Sequence, residues 1–523
     1  MSLSRPTMSA IRFGYGIRPG EEVPDGPEAL LAQLRRASSE PVRFPHEGIE
    51  GRRDTIREYY SNMRSARDPD PVQRRKNQRP FRLQAGLANV RDQHERMLQS
   101  AFSPLGFHER LVTFWADHFS VNSRKGPEMR LYCSLYEAEA LRPNISGPFV
   151  ALLKAAIVHP AMLIYLDQNR SQGPNSRRAQ QTGKGLNENL GRELLELHTL
   201  GVDGGYTQKD VIDAALMLTG LGVINKEAAA GFRPLFAEPG PLTFMGKTYG
   251  GRRRSLANIE EMLDDLAAMP QTARHICRKL VVHFISDNPP EPLITTMVDA
   301  WNKSGGDLFE VYRAMLNHPA AWENPLEKAR QPYDFVVAGL RALDVPAAAL
   351  GMPDRSDQED KTEDAPMAPP VAKTMEAPEA GDGEQQEMQT PEMQTPEMQT
   401  PEMQATEMKA KEPAKAQMAT NRLHNRFSIG AVHRLGQPVW DPTNPSGFEE
   451  GFESWITSAQ ITGRIEWAQS IASQFGARLS PDAFVKTILR DAVRDDTLRI
   501  VSQAPNKPAG IALALASPEF NRR

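Results

Sequence analysis

Cysteine is nearly absent from this 523-residue sequence, which contains only Cys133 and Cys277. Two cysteines exclude a disulfide framework, and alone they cannot form a four-cysteine zinc site. The sequence also lacks an excess of charge of one sign, since 62 Lys and Arg balance 66 Asp and Glu. A net charge of −4 gives no bulk attraction to nucleic acid, so we expect no nucleic-acid partner.

Long apolar runs are missing as well. No stretch has the roughly 18 uncharged apolar residues of a membrane span, and residues 1–20 contain no apolar run of signal-peptide length. We therefore predict a soluble, cytoplasmic protein without a membrane span. A nucleophile elbow, a phosphate-binding loop, a dinucleotide fingerprint and a His-Glu-x-x-His pattern are also absent from the sequence, so no standard motif assigns a reaction.

Residues 350–419 differ sharply in composition from the rest of the chain. After Leu350 the only aliphatic or aromatic residue among Val, Leu, Ile, Phe, Tyr and Trp is Val371, and a Glu-Met-Gln-Thr-Pro repeat occupies residues 387–401. A stretch this poor in apolar residues cannot offset its ordering entropy, and a proline in every fifth position prevents a continuous helix. The pattern predicts a disordered linker. A methionine-based metal or partner site is the alternative, since thioethers suit Cu(I).

Helical periodicity dominates on both sides of this linker. Leu83, Leu87, Val90 and Met97 fall on one helical face, and Leu111, Phe114, Trp115 and His118 show the i, i+3, i+4, i+7 spacing. Only residues 222–251, which are rich in glycine, proline and aromatics, suggest a hairpin or a long ordered loop. We therefore predict an all-α, multi-helix domain. Residues 11–349 form its main part, the linker interrupts it, and residues 420–523 form a C-terminal helical part that packs on the first. Helices are expected over residues 127–142, 147–158, 188–200, 208–219, 255–268, 271–285, 290–303, 307–317, 331–343, 455–475, 481–493 and 511–517.

The segment NENLGRELLELHTLGVDGGYTQKD at residues 187–210 resembles the bacterial domain-of-unknown-function 1800 family. Further stretches agree with this family: FWADHF at 114–119, HPAMLIYLD at 159–167, AALMLTG at 214–220, HICRKL at 275–280 and ASPEFNRR at 516–523. The resemblance covers residues 11–523 apart from the linker. It implies a large helical bacterial protein without a settled activity, often encoded beside a sulfatase-like secreted partner. The chain departs from the family pattern at Leu190, Gly191 and Leu221.

Two carboxylates of this motif stand one turn apart. On a helix over residues 188–200, Asn189, Glu193 and Glu196 share one face beside an apolar stripe. If that face is buried, one pKa should rise or a cation should lie between the two glutamates. The pair would suit general acid/base chemistry or a carboxylate metal site. The alternative is that each glutamate pairs with an arginine such as Arg192 and holds helices in register.

His118 lies on the apolar stripe of its own helix, with Asp117 beside it in sequence. A lone histidine on such a face is often a satisfied core residue. The functional hypothesis is that His118 faces the Glu193/Glu196 helix across a cavity and acts as a base or ligand, oriented by a carboxylate or by Asn122. His198 should point away from both glutamates, which excludes a Glu-Glu-His metal site on a single helix.

Substrate contacts are expected from the residues before and within the motif. Tyr165, Asp167, Asn187 and Asn189 flank a polar loop over residues 167–187, which would suit a substrate lid. The alternative is an ordinary Asx-type turn followed by a surface loop.

Two functional hypotheses follow from the sequence. The first is a hydrolase-like enzyme, with His118, Asp117, Arg192, Glu193 and Glu196 as catalytic candidates and with substrate, cofactor and metal unknown. The second is a non-catalytic scaffold that assembles with a co-encoded, sulfatase-like secreted protein. The basic stretch over residues 52–82 would suit an acidic partner, although its acidic residues also allow a salt-bridged surface.

Overall fold

The computed structural model describes residues 3–350 and 426–523, and together these residues form one compact unit. The predicted linker, which contains the repeat, therefore lies outside the described residues from residue 351 onward. The domain limits at residues 350 and 419 stay a prediction.

The predicted all-α class is confirmed. The α-helices are α1 Arg5–Met8, α2 Pro27–Arg36, α3 Gly48–Ser65, α4 Pro71–Phe102, α5 Gly106–His118, α6 Met129–Tyr136, α7 Phe149–Val158, α8 Pro160–Tyr165, α9 Arg177–Thr182, α10 Asn189–Glu193, α11 Gln208–Leu218, α12 Leu256–Ala268, α13 Pro270–Phe284, α14 Glu291–Ser304, α15 Leu308–Asn317, α16 Pro332–Ala342, α17 Ile429–Arg434, α18 Phe452–Trp455, α19 Ser458–Phe475, α20 Pro481–Leu489, α21 Asp495–Ser502 and α22 Lys507–Ala516.

Local sequence signals account for many helix starts. Asp70 accepts the Val72 main-chain N–H before α4, and Thr207 and Asp210 form a reciprocal capping box at α11. Three π-helical turns, Ser9–Phe13, Glu137–Leu141 and Leu194–His198, extend or follow α-helices. The predicted helix over 188–200 thus ends at His198, and its last turn is wider than an α-helical turn.

The glycine-rich stretch after α11 forms two small antiparallel hairpins. In the first, β1 Leu221–Ile224 pairs with β2 Ala229–Phe232, with Leu221 opposite Phe232. In the second, β3 Leu242–Phe244 pairs with β4 Lys247–Tyr249. No helix within residues 3–350 and 426–523 has both the length and the apolar character needed to cross a membrane.

Helices on either side of residues 351–425 share one core. Gly339 on α16 lies against the buried Trp467 ring of α19, and Trp467 in turn packs on Phe335 with ring centroids 5.1 Å apart. The Arg464 guanidinium, 1% exposed, donates to the Arg330 carbonyl at 2.7 Å. The part of the chain after residue 425 therefore contributes to the interior formed by the first 350 residues.

Replacing Gly339 by alanine is expected to lower the free energy of unfolding by about 1–3 kcal/mol, because the added methyl would overpack the α16–α19 contact. Its Cβ would lie 2.4 Å from the Trp467 ring. The matched control is Gly86→Ala in α4, where the nearest atom is the end of the Arg130 side chain at 3.3 Å. This control should be neutral or stabilising by up to about 1 kcal/mol. Urea denaturation measures both, and equal stabilities of the two variants would contradict the prediction.

Candidate functional site

A cleft lies between α5 and the segment formed by residues 437–448. It holds about 540 Å³ of empty space, part of it open to solvent. Water molecules can fill about 50 Å³ of it, which is room for roughly four of them. Its walls mix aromatic and polar groups, including Thr113, Asp117, Tyr333, Trp440 and Phe448. In this conformation the cleft has room for water.

Asp117 is the carboxyl group on the wall of this cleft. Its Oδ1 accepts the main-chain N–H of Phe448 at 2.8 Å. Gly447, at φ +85°, allows this contact, because a Cβ there would lie 2.6 Å from the carboxyl. Burial raises the pKa of Asp117 to about 7, although the Phe448 N–H and the positive charge of Lys279 oppose the rise. The side chain therefore exchanges a proton near neutral pH.

Lys279 on α13 lies within electrostatic reach of Asp117. Burial lowers the pKa of Lys279, and the negative charges of Asp117 and Glu450 only partly offset this. Among residues 3–350 and 426–523 no carboxylate comes within 4 Å of the Lys279 ammonium. The pKa of the acid is thus raised and that of the base lowered, which brings their proton affinities closer together than in water.

A chain of hydrogen bonds continues from Glu450 into the core. Glu450 bonds to Nδ1 of His283, and the opposite ring nitrogen of His283 lies 3.2 Å from the Arg110 guanidinium, which also pairs with Asp334. Because Arg110 can only donate, the His283 proton is on Nδ1 and points to Glu450. Burial alone would raise the pKa of Glu450, but the N–H of His283 and the positive charges of Lys328 and Arg110 lower it to about 2. Glu450 therefore stays ionised.

His118 faces the helix that carries Glu193 and Glu196, as hypothesised, but it packs there against His198 and not against the two glutamates. Its ring centroid lies 5.8 Å from that of His198 and 6.3 Å from that of His275. Neither ring nitrogen of His118 or of His198 has a hydrogen bond of good geometry. Asn122, proposed to orient His118, instead donates to the Pro442 carbonyl at 2.7 Å.

Both histidines of this pair are neutral at pH 7. Burial, followed by the charge of Lys279, lowers the pKa of His118 far below its usual value and that of His198 to about 3. Among the described residues no group of three or more His, Cys, Asp or Glu side chains has a geometry that could hold a metal ion.

Glu193 and Glu196 lie on the half-buried face of α10 and its π-turn. Arg192 pairs with Glu196 at 3.2 Å and with Glu188 at 3.3 Å. Burial and the charge of Glu196 raise the pKa of Glu193, as expected for two neighbouring carboxylates. His198 leaves the same helix on the buried side, as predicted. The arginine pairing that the alternative hypothesis required is thus present for Glu196.

The four predicted substrate contacts have separate local roles. Tyr165 is buried, and burial and the charge of Glu193 raise its pKa to about 12. Asp167, at φ +56°, binds Lys125 at 2.6 Å. Asn187 Oδ1 accepts the main-chain N–H of Asn189, which is exposed at the start of α10. The structure therefore supports the Asx-turn alternative for Asn187.

The predicted lid over residues 167–187 is fastened to the segment before β3. Gly173 N–H donates to the Phe236 carbonyl and Arg178 N–H to the Leu235 carbonyl, both at 2.9 Å. Glu238 accepts the Asn175 main-chain N–H at 3.0 Å. A Cβ on Gly173 would lie 2.5 Å from the Glu238 backbone, so only glycine fits this approach. These contacts hold the loop in place against residues 235–238, as a fixed part of the fold.

Sequence reasoning missed Lys279, His283 and Glu450. His275, Lys279 and His283 recur every fourth residue on α13, so a row of titratable groups along one helix face was the available signal. No sequence pattern indicates that Glu450 belongs to this site, because only tertiary packing brings it to α13.

Comparison with known proteins gives one match. The family model described as "Protein of unknown function (DUF1800)" matches residues 9–522. No curated protein and no solved structure matches the chain. The family match spans nearly the whole chain and includes α5, α10 and α13, which carry the residues discussed above. The chain therefore belongs to the DUF1800 family of proteins of unknown function.

Proposed function

We propose that the protein is an acid–base enzyme, with hydrolysis as its reaction class, and that Asp117 is its catalytic residue. The observation that carries this proposal is the position of Asp117. One of its oxygens is held by the Phe448 N–H, while the other forms no hydrogen bond with the described residues, on the wall of a cleft with room for water.

The proposed chemistry is general-base and then general-acid catalysis. The carboxylate of Asp117 removes a proton from a water molecule as that water adds to an electrophilic atom of the substrate. The protonated carboxyl then returns the proton to the leaving group. A catalytic pKa near the working pH makes both transfers efficient, and the pKa of Asp117 is about 7. Lys279 is a positioning residue in this proposal, because its charge stabilises the Asp117 carboxylate.

The remaining candidates support the site without touching the substrate. His118 follows Asp117 at the end of α5, and its packing against His198 fixes the end of that helix. Glu193, Glu196 and Arg192 form a separate ion-paired face, to which the proposal gives no chemical step.

The test uses chromogenic p-nitrophenyl esters, phosphates, sulfates and glycosides as probes. Turnover by Asp117→Asn should fall by at least about 100-fold, while the Glu193→Gln control keeps its rate. For the wild type kcat/KM should change near pH 7. In Lys279→Met this change should move to higher pH, because removing the positive charge raises the pKa of Asp117. Equal turnover by the wild type and Asp117→Asn, or no turnover of any probe by the wild type, would contradict the proposal.

The alternative proposal is a non-catalytic scaffold for a protein partner, for which the family resemblance suggests a co-encoded, sulfatase-like protein. What favours a binding role is an exposed basic face on α4, where cationic and aliphatic side chains alternate without acidic residues. Inactivity on every probe together with specific binding through α4 would favour this alternative.

A further inference from the structure

The basic stretch over residues 52–82 divides into two parts. In α3 three of the four arginines are ion-paired: Arg52 binds Asp92, Arg53 binds Glu139, and Arg57 binds Asp54. In the first half of α4, by contrast, Arg75 and Lys76 are exposed and have no carboxylate within 4 Å among the described residues. The salt-bridged surface expected from the sequence is thus present on α3, whereas Arg75 and Lys76 on α4 are not part of it.

Aliphatic side chains are exposed on the same part of α4. Val72 is 61% exposed, Leu83 46% and Leu87 44%. At about 100° per residue, these three side chains, Arg75 and Lys76 lie within an arc of about 120°. We call these five residues the basic–aliphatic stripe; it runs for about 22 Å along the helix at 1.5 Å per residue.

The stripe lacks a compensating negative charge. Residues 71–91 contain six Lys and Arg and no Asp or Glu. The cations stand at the N-terminal end of the stripe and the two leucines at its C-terminal end. Exposed aliphatic groups that share a helix face with uncompensated cations are typical of an interface.

We infer that the basic–aliphatic stripe binds an amphipathic, acidic helix of a partner protein. Carboxylates at one end of such a helix would pair with Arg75 and Lys76, and aliphatic residues about two turns further along would cover Leu83 and Leu87. A lipid bilayer fits less well, because a membrane-surface helix segregates its apolar face from its cations, whereas here both lie in one arc. The inference does not depend on the Asp117 cleft.

The test measures binding of the full chain to three labelled 21-residue helices by fluorescence anisotropy. The helices share their leucine positions and carry Glu, Lys or Gln elsewhere. Only the Glu helix should bind, with an affinity that falls as salt rises. Arg75→Glu/Lys76→Glu and Leu83→Ser/Leu87→Ser should each weaken binding by at least about tenfold. Arg478→Glu/Lys486→Glu, an equal charge reversal at exposed sites on and before α20, should change it by less than twofold.

Three outcomes would overturn the inference. The first is equal binding of the Glu and Gln helices, and the second is an equal loss of affinity in the control variant. The third is the absence of peptide binding together with tight, stripe-dependent binding to vesicles of phosphatidylserine and phosphatidylcholine, which would identify a membrane surface instead. Circular dichroism of each variant verifies that it is folded.

Discussion

The free energy of unfolding is expected to fall by about 3 kcal/mol when the pH drops from 6.5 to 5.5. Four histidines cause this fall: His108, His118 and His198, which are buried, and His275, which is partly buried. Burial lowers the pKa of His198 to about 3 and that of His108 and His275 to about 4, and it lowers that of His118 well below its usual value. Each of them is neutral in the folded chain at both pH values.

The sign follows from proton binding in the two states. An unfolded histidine takes up a proton near pH 6.5. In the folded chain His108, His198 and His275 do so only near pH 3–4, and the pKa of His118 also lies well below its usual value. Their contribution to stability is therefore complete above pH 6.5 and is lost as the pH falls toward the folded-state pKa. As the pH falls from 6.5 to 5.5, each histidine lowers the free energy of unfolding by about 1 kcal/mol, and the four together lower it by about 4 kcal/mol.

Asp117 acts in the opposite direction. Its folded-state pKa of about 7 lies above the unfolded value, so its burial cost shrinks as the pH falls below 7. Between pH 6.5 and 5.5 this raises the free energy of unfolding by about 1 kcal/mol. The net loss of unfolding free energy is therefore about 3 kcal/mol. Carboxylates whose folded-state pKa is lowered lose their contribution to stability only below about pH 5.5.

Urea denaturation followed by circular dichroism at the two pH values measures this loss. His275→Gln is the matched variant, because a glutamine amide can still donate to the Leu197 carbonyl that His275 contacts at 3.1 Å. In the His275→Gln variant, the loss of unfolding free energy between pH 6.5 and 5.5 should be smaller by about 1 kcal/mol. A stability that stays constant or rises between pH 6.5 and 5.5 would show that these histidines titrate normally.

Helical periodicity predicted most of the fold, but it predicted burial less well. The expected helices over residues 208–219, 255–268 and 290–303 are present within one or two residues of their ends. Helix α3 was missed because its buried face includes Arg52, a charge at a position where the pattern requires an apolar residue. Leu83 and Leu87 belong to a real helical stripe, yet they are exposed, since periodicity identifies a face without showing what covers it.

The candidate site was predictable only in part, because tertiary packing assembles it. Asp117 was noticed for its position beside His118, whereas its environment comes from Phe448, more than 300 residues further along the chain. That Glu193 and Glu196 share a face and that His198 points away from it followed from helix geometry alone. That His118 would lie against His198 could not be deduced, because the relative placement of α5 and α10 is not a property of either helix.

Replacing Glu137 by alanine is expected to lower the free energy of unfolding by about 3–5 kcal/mol, since it leaves a buried arginine without a partner. Glu137 is 1% exposed, and its Oε2 accepts Nε of Arg96 at 2.6 Å and the indole N–H of Trp440 at 2.7 Å. Burial alone would lower the pKa of Arg96, and Glu137 outweighs this and raises it. Because Arg96 and Trp440 both line the Asp117 cleft, this glutamate also fixes two of its walls.

The control for this prediction is Glu50→Ala. The Glu50 side chain is 81% exposed and lies 3.6 Å from Arg53, so its loss should change stability by less than about 0.5 kcal/mol. The double variant Glu137→Met/Arg96→Met separates pairing from packing. It removes both charges, so it should be more stable than Glu137→Ala although it lacks more hydrogen bonds. A Glu137→Ala loss below about 1 kcal/mol in urea denaturation would mean that solvent reaches Arg96 and that the cleft is more open than its hydrogen bonds imply.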